Sequence, residues 1–100
     1  MSARRHILVA YDICDPVRLR RVHKTVRDFG MPLQYSVFAC RLTACARALL
    51  EQRLLDVMDA AVDQVMLVDL GGVAPEDDYV PGSRVLGRIK GRRWASVVVV

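Results

Sequence analysis

Asp12 stands at the end of five consecutive apolar residues, Ile7 to Tyr11, and Asp15 and Pro16 follow it almost at once. A carboxylate placed where a buried strand reaches the surface is a common seat of chemistry, and it serves equally well as a solvated turn residue. A second group with chemical potential is cationic. Arg18, Arg20, Arg21, Lys24 and Arg27 crowd one segment, and Arg84, Arg88, Lys90, Arg92 and Arg93 crowd another. Between them runs an acidic stretch with Glu51, Asp56, Asp59, Asp63, Asp69, Glu76, Asp77 and Asp78. Two basic blocks in a small chain of net charge +4 point to a polyanionic partner, foremost nucleic acid. The alternative is a solvated helix face followed by a basic tail. Cys14, Cys40 and Cys45 are odd in number and fit reduced thiols, and Cys40 and Cys45 are best read as small buried side chains rather than metal ligands. His6 and His23 have no metal-ligand spacing to Asp12, and His23 is expected on a helix surface.

These groups need elements to hold them. The apolar run before Asp12 lacks alternation and reads as a central strand buried on both faces. Asp15 is a favoured N-cap and Pro16 suits a first helical turn, so a helix is expected over 16–29. Leu19, Val22, Val26 and Phe29 form its apolar stripe, and Arg20, Lys24 and Arg27 lie on another face with Arg21 beside them. Gly30 falls where a left-handed C-cap is expected, and Pro32 stops any continuation. Residues 33–42 are rich in Val, Phe and Tyr and read as β-structure, divided into two short strands near Ser36. Thr43 caps a second helix over 44–61, with Leu50, Leu54, Val57, Met58 and Ala61 buried. The run QVMLVDL after Asp63 is a further strand, ended by Gly71 and Gly72. Residues 73–83 read as a mobile loop without a core of its own. Residues 84–89 suggest a short strand. The terminal WASVVVV has the composition of a strand that pairs with a sheet, its own or a second subunit's.

The order β-α-β-β-α-β with an extra terminal strand describes an α+β sandwich of ferredoxin-like type. The 100 residues suggest one domain, with a core over about 5–70, a loop over 71–83 and a C-terminal strand region over 84–100 that could be swapped onto a partner. Both helices would cover one sheet face. The other face would carry more apolar surface than a monomer can leave bare, so a homodimer is expected. No apolar run approaches the roughly 20 residues that span a bilayer, and no signal peptide is visible, so a cytoplasmic protein without membrane contact is expected.

Three motifs then resemble those of a known family. YDICD at 11–15, RRV at 20–22 and above all GMPLQYSVFAC at 30–40 are similar to CRISPR-associated protein 2, the small subunit of the machinery that captures new spacers. The resemblance covers residues 6–70 in order and spacing. It implies a ferredoxin-like homodimer, often completed by a C-terminal strand from the partner subunit. It implies magnesium bound between subunits by the aspartate that ends the first strand, here Asp12, and metal-dependent endonuclease activity on RNA or DNA. Magnesium prefers oxygen ligands, keeps several waters and commonly takes only one or two carboxylates, so a pair of Asp12 side chains is a reasonable set. Tyr11, Ser36 and Phe38 match family positions near the cleft, where they could serve packing as well as substrate contact. Arg21 matches a family arginine and is assigned to phosphate binding.

The resemblance also implies a role without hydrolysis. The dimer would bridge two copies of the CRISPR-associated protein 1 integrase and hold a double-stranded DNA protospacer across its basic surface, with Arg18, Arg20, Arg21, Lys24 and Arg27 as contacts and Arg92 and Arg93 secondary. Single-stranded RNA is a further possible ligand. Ala39 stands where the family often has an acidic residue, and Pro32 where a basic one is common; neither departure touches Asp12. Two other readings stay open: a toxin-type ribonuclease of the same fold, and a ferredoxin-like regulatory dimer.

Overall fold

The computed structural model describes residues 3–77 and 80–87. Strand β1 (Arg5–Asp12) leads through the Asp15 cap to helix α1 (Pro16–Arg27). Strands β2 (Gly30–Gln34) and β3 (Val37–Leu42) form a hairpin. Helix α2 (Ala44–Val57) and strand β4 (Gln64–Gly72) complete the unit. The strand order is β2-β3-β1-β4, and every neighbouring pair is antiparallel. This is the ferredoxin-like arrangement, with β1 and β3 in the centre. The hairpin turn falls at Tyr35 and Ser36, so the β region divides where the sequence placed the break.

Both helices pack on one face of the sheet. Ile7, Val9 and Tyr11 of β1 alternate onto that face and meet Phe38, Cys40 and Leu42 of β3, with Val22 and Val26 of α1 and Leu50 and Leu54 of α2 above them. Each of these side chains is buried. Burying an aliphatic or aromatic side chain of this size contributes on the order of 1.5–3 kcal/mol. The intervening residues Leu8 and Ala10 occupy the opposite face and are only half-buried within one chain. β1 is therefore fully covered on the helical side alone, short of the two-sided burial its unbroken apolar run suggested.

Three local boundaries differ from the sequence expectation, each for a physical reason. Helix α1 ends at Arg27, and its cap is Asp28 in right-handed conformation, whose N–H donates to the Thr25 and Val26 carbonyls. Gly30 is not a left-handed cap; positive φ occurs instead at Gly71, Gly82 and Gly87. Gly30 begins β2 opposite Cys40, and its role is close approach. A Cβ there would press on Cys40 Sγ and lie 2.5 Å from the Ala39 carbonyl oxygen. We expect Gly30→Ala to cost about 2 kcal/mol through overpacking, read as a lower urea midpoint at unchanged slope.

Helix α2 stops at Val57 rather than at Ala61, which is exposed. Asp59 ends the helical run, because its side chain accepts from the Ala61 N–H at 3.0 Å and offers the backbone a turn. β4 does end with Gly71 and Gly72. Gly71, at φ 105, lies in a bulge where Arg5 pairs with Gly72 and Ile7 with Asp69.

The segment after β4 is anchored, not a loop free of the core. The Asp77 carboxylate accepts from the Ala74 N–H at 2.8 Å and lies 2.8 Å from Nε2 of His6, which is itself buried. Val80 is buried against Ala39, beside Met31, Leu33 and Val85, on the sheet face away from the helices. Of the short strand expected over 84–89, Val85 makes a single β-bridge, and 88–89 lie outside the described residues, as does WASVVVV. No helix among the described residues is long and apolar enough to cross a membrane.

Candidate nucleic-acid interface

Asp12 is the last residue of β1, paired in register with Gln64 of β4, and its side chain is exposed. Among the described residues its carboxylate has no hydrogen-bond or ion-pair partner. The chain on either side is held tightly. The Tyr11 N–H donates to the Ser36 carbonyl at 3.1 Å, which ties the strand end to the Tyr35–Ser36 turn. Two residues on, the Cys14 N–H donates to the buried carboxylate of Asp63 at 3.1 Å.

Asp63 fastens three elements at once. It also accepts from the Asp59 N–H at 2.9 Å and from the Arg18 guanidinium at 2.7 and 3.3 Å. The Arg18 contact, aided by the backbone donors and opposed by burial, brings its pKa down to about 2. The same pairing removes Arg18 from the expected set of free phosphate contacts. Its guanidinium closes the corner that carries Asp12, and its backbone N–H is held by the Asp15 cap at 2.9 Å.

The remaining cations divide in two. Arg20, Lys24 and Arg27 are exposed and recur at intervals of four and three, which places them along one side of α1. They line an open cleft of about 640 Å³ together with Leu19, His23 and Tyr35. None of the three forms an ion pair with a described residue. Asp28, at the cleft rim, is held by Arg53 at 2.8 Å. Arg21 is exposed but stands off this stripe, outside the cleft. The second basic block lies mostly outside the described residues; Arg84 alone of its members is described, and it is exposed.

Beneath the His23 and Tyr35 lining of the cleft lies a buried aromatic tier. The Tyr11 and Phe38 rings stack at 6.2 Å, and His23 stands edge-on to Phe38 at 5.3 Å. The Tyr11 hydroxyl lies 2.7 Å from His23 Nδ1 and donates to the Tyr35 carbonyl at 3.3 Å. One hydroxyl proton serves both contacts only if it goes to the carbonyl while Nδ1–H of His23 donates to the hydroxyl oxygen. We assign that tautomer, which leaves Nε2 of the neutral ring as an acceptor. Burial, then the neighbouring Arg27, lowers the His23 pKa, and burial with Tyr35 nearby pushes Tyr11 up to about 12.

Of the cleft residues expected from sequence, Tyr11 and Ser36 thus meet through their backbone, whereas Phe38 is wholly buried and supports the lining from beneath. His23 is half-buried and part of this tier, not a bare surface residue. It was detectable in principle, since it shares a helix side with Arg20 and Arg27. Cys40 is buried, with its thiol pushed up to about 11, while Cys45 is exposed, contrary to the expectation of a buried side chain; Cys14 is exposed as well.

The described residues of one chain do not complete a magnesium site. No group of three His, Cys, Asp or Glu among the described residues can hold a metal ion. A free, exposed carboxylate on a rigid strand end suits one ligand of a hard cation that keeps most of its waters. Asp12 fits that part, and a second copy of the chain would have to supply the other carboxylate.

The family described as CRISPR associated protein Cas2 matches residues 5–74. A CRISPR-associated endoribonuclease Cas2 of Rhodospirillum rubrum is 38% identical over 87 residues, which cover 87% of this chain and 82% of the relative. One from Geobacter sulfurreducens is 36% identical over 81 residues, 81% of this chain and 82% of the relative. The crystal structure of Streptococcus pyogenes Cas2 superposes with a TM-score of 0.62 at 34% identity, covering 66% of this chain and 86% of the other. A further Cas2 crystal structure gives 0.71 at 28% identity over 90% of this chain and 94% of the other.

Proposed function

The chain belongs to the CRISPR associated protein Cas2 family, and on that premise we propose that it works as a dimeric scaffold of spacer acquisition in the cytoplasm, holding double-stranded DNA beside the CRISPR-associated protein 1 integrase. The observation that carries this reading is the row of Arg20, Lys24 and Arg27, exposed and free of ion pairs with any described residue. Cations kept unpaired along one helix cost stability through mutual repulsion, a cost that an anionic partner offsets. Duplex DNA carries one charge per about 1.7 Å of axis, and each phosphate neutralised releases condensed counterions. Contacts of this kind position a duplex without reading its sequence.

The part of the far sheet face that no described residue covers supports the dimer. Met66 and Leu70 of β4 are 52% and 40% exposed, next to half-buried Leu8, Ala10 and Val68. A second copy stacked on that face would cover this surface.

Relatives named endoribonucleases favour a hydrolytic activity as well, and we assign it to Asp12. Asp12 of each subunit would hold magnesium; the cation, when bound, supplies a water of lowered pKa and neutralises charge on a phosphodiester oxygen. The chain's own residues do the rest: Asp63, Arg18 and the Tyr11–Ser36 backbone bond fix the strand end, and the cationic row holds the backbone of the nucleic acid.

Reconstitution tests the scaffold. Mixed with the integrase and a duplex, the wild-type protein is expected to elute as a ternary complex. A variant with Arg20, Lys24 and Arg27 all changed to Ala should keep the integrase and bind duplex at least about tenfold more weakly at physiological salt. Undiminished duplex retention by that variant would refute the assignment.

A further inference from the structure

The cleft holds one feature that duplex binding leaves unused. Tyr35 is 71% exposed, so its ring contributes little to the core, yet its backbone is tethered. Its carbonyl accepts from the Tyr11 hydroxyl at 3.3 Å, and its ring lies 6.3 Å from that of His23 at 33°. An aromatic ring supported on one side and open on the other is a stacking platform. Arg20, Lys24 and Arg27 run beside it. Helical rise separates the first and second by about 6 Å and the first and third by about 10.5 Å, a span suited to successive phosphates of an extended strand. The open volume of about 640 Å³ is of the size that accepts a drug-sized ligand, and a nucleotide is of that order.

We propose that this cleft takes one unstacked base of a single-stranded polynucleotide, with the base on Tyr35 and its flanking phosphates on Arg20, Lys24 and Arg27. A duplex keeps its bases paired and stacked, so it engages the cations and not the ring. Nε2 of His23, an acceptor in the assigned tautomer, faces a hydrogen-bond donor of the same nucleotide, either a base N–H or a ribose 2′-hydroxyl. The inference deepens the proposed polynucleotide binding and rests on it: α1 supplies affinity, and Tyr35 adds a preference for unpaired strand. Stacking of this kind tolerates any base, so no sequence preference is required.

The test compares a short single-stranded oligonucleotide of mixed sequence with a blunt duplex of the same sequence, both followed by fluorescence anisotropy. Tyr35→Ala should weaken single-strand binding about 5- to 100-fold and leave duplex binding within about twofold. Tyr35→Phe, which keeps the ring, should stay close to wild type for both ligands. Unchanged single-strand affinity in Tyr35→Ala, or an equal loss for both ligands, would overturn the inference. The triple Ala variant of Arg20, Lys24 and Arg27 separates the two levels. If it loses both ligands while Tyr35→Ala loses neither, stacking alone is wrong; if it loses neither, the polynucleotide reading falls with it.

Discussion

Asp63→Ala should lower the melting temperature by about 10 °C or more, the largest loss expected from any single side chain outside the apolar core. The carboxylate is buried and accepts from the Cys14 and Asp59 N–H groups and from two nitrogens of Arg18. Truncation leaves two backbone donors and a half-buried guanidinium without their acceptor, and unsatisfied buried donors cost more than the bonds themselves gained. Thermal melts followed by circular dichroism measure the effect; a shift of less than about 3 °C would mean that water replaces the carboxylate freely.

The same residue sets an acid limit. Its pKa is depressed from 3.8 to about 2 in the folded chain. A depressed carboxylate contributes stability that is present above the unfolded value and lost as pH falls through the folded one, so this contribution fades between about pH 4 and pH 2. Asp69 and Asp77 are depressed as well, by Arg5 and by the Ala74 N–H respectively, and act in the same direction. The difference between wild type and Asp63→Asn isolates the one group: the two stability curves should converge as pH drops through this window. Parallel curves would show that Asp63 is not the titrating group.

Asp12→Asn is expected to reduce metal-dependent phosphodiester cleavage at least about 100-fold while leaving the melting temperature and duplex affinity nearly unchanged. The side chain is exposed and without a described partner, so asparagine replaces it at no packing cost. What is lost is the anionic ligand. Cleavage of labelled RNA and DNA with and without magnesium measures the outcome. Equal rates for variant and wild type would place any hydrolysis elsewhere. A stable, binding-competent, cleavage-dead protein would separate the scaffold from the nuclease.

Features set by local chemistry were legible in the sequence. Asp15 before Pro16, and Thr43 before the second helix, mark caps because short polar side chains satisfy the first free N–H groups, and both act as caps here. The apolar run ending at Asp12 located the central strand, and the order of elements pointed to the ferredoxin-like class. Features that depend on distant partners were not legible. Arg18 looked like one more member of a cationic helix because Asp63, 45 residues away, meets it only in the folded chain. Gly30 resembled a cap by position, and only the facing Cys40 shows that contact explains it. Tyr35 and His23 became a site only once the β2–β3 turn lay against α1.

The cationic face of α1 is the centre of the account, and the salt dependence of duplex binding tests it most directly. Log affinity should fall linearly with log salt concentration, and changing Arg20, Lys24 and Arg27 to Ala should reduce the slope by about 2.7 for each helix engaged, or about 5 when both subunits contact one duplex. Identical slopes for wild type and variant would contradict it.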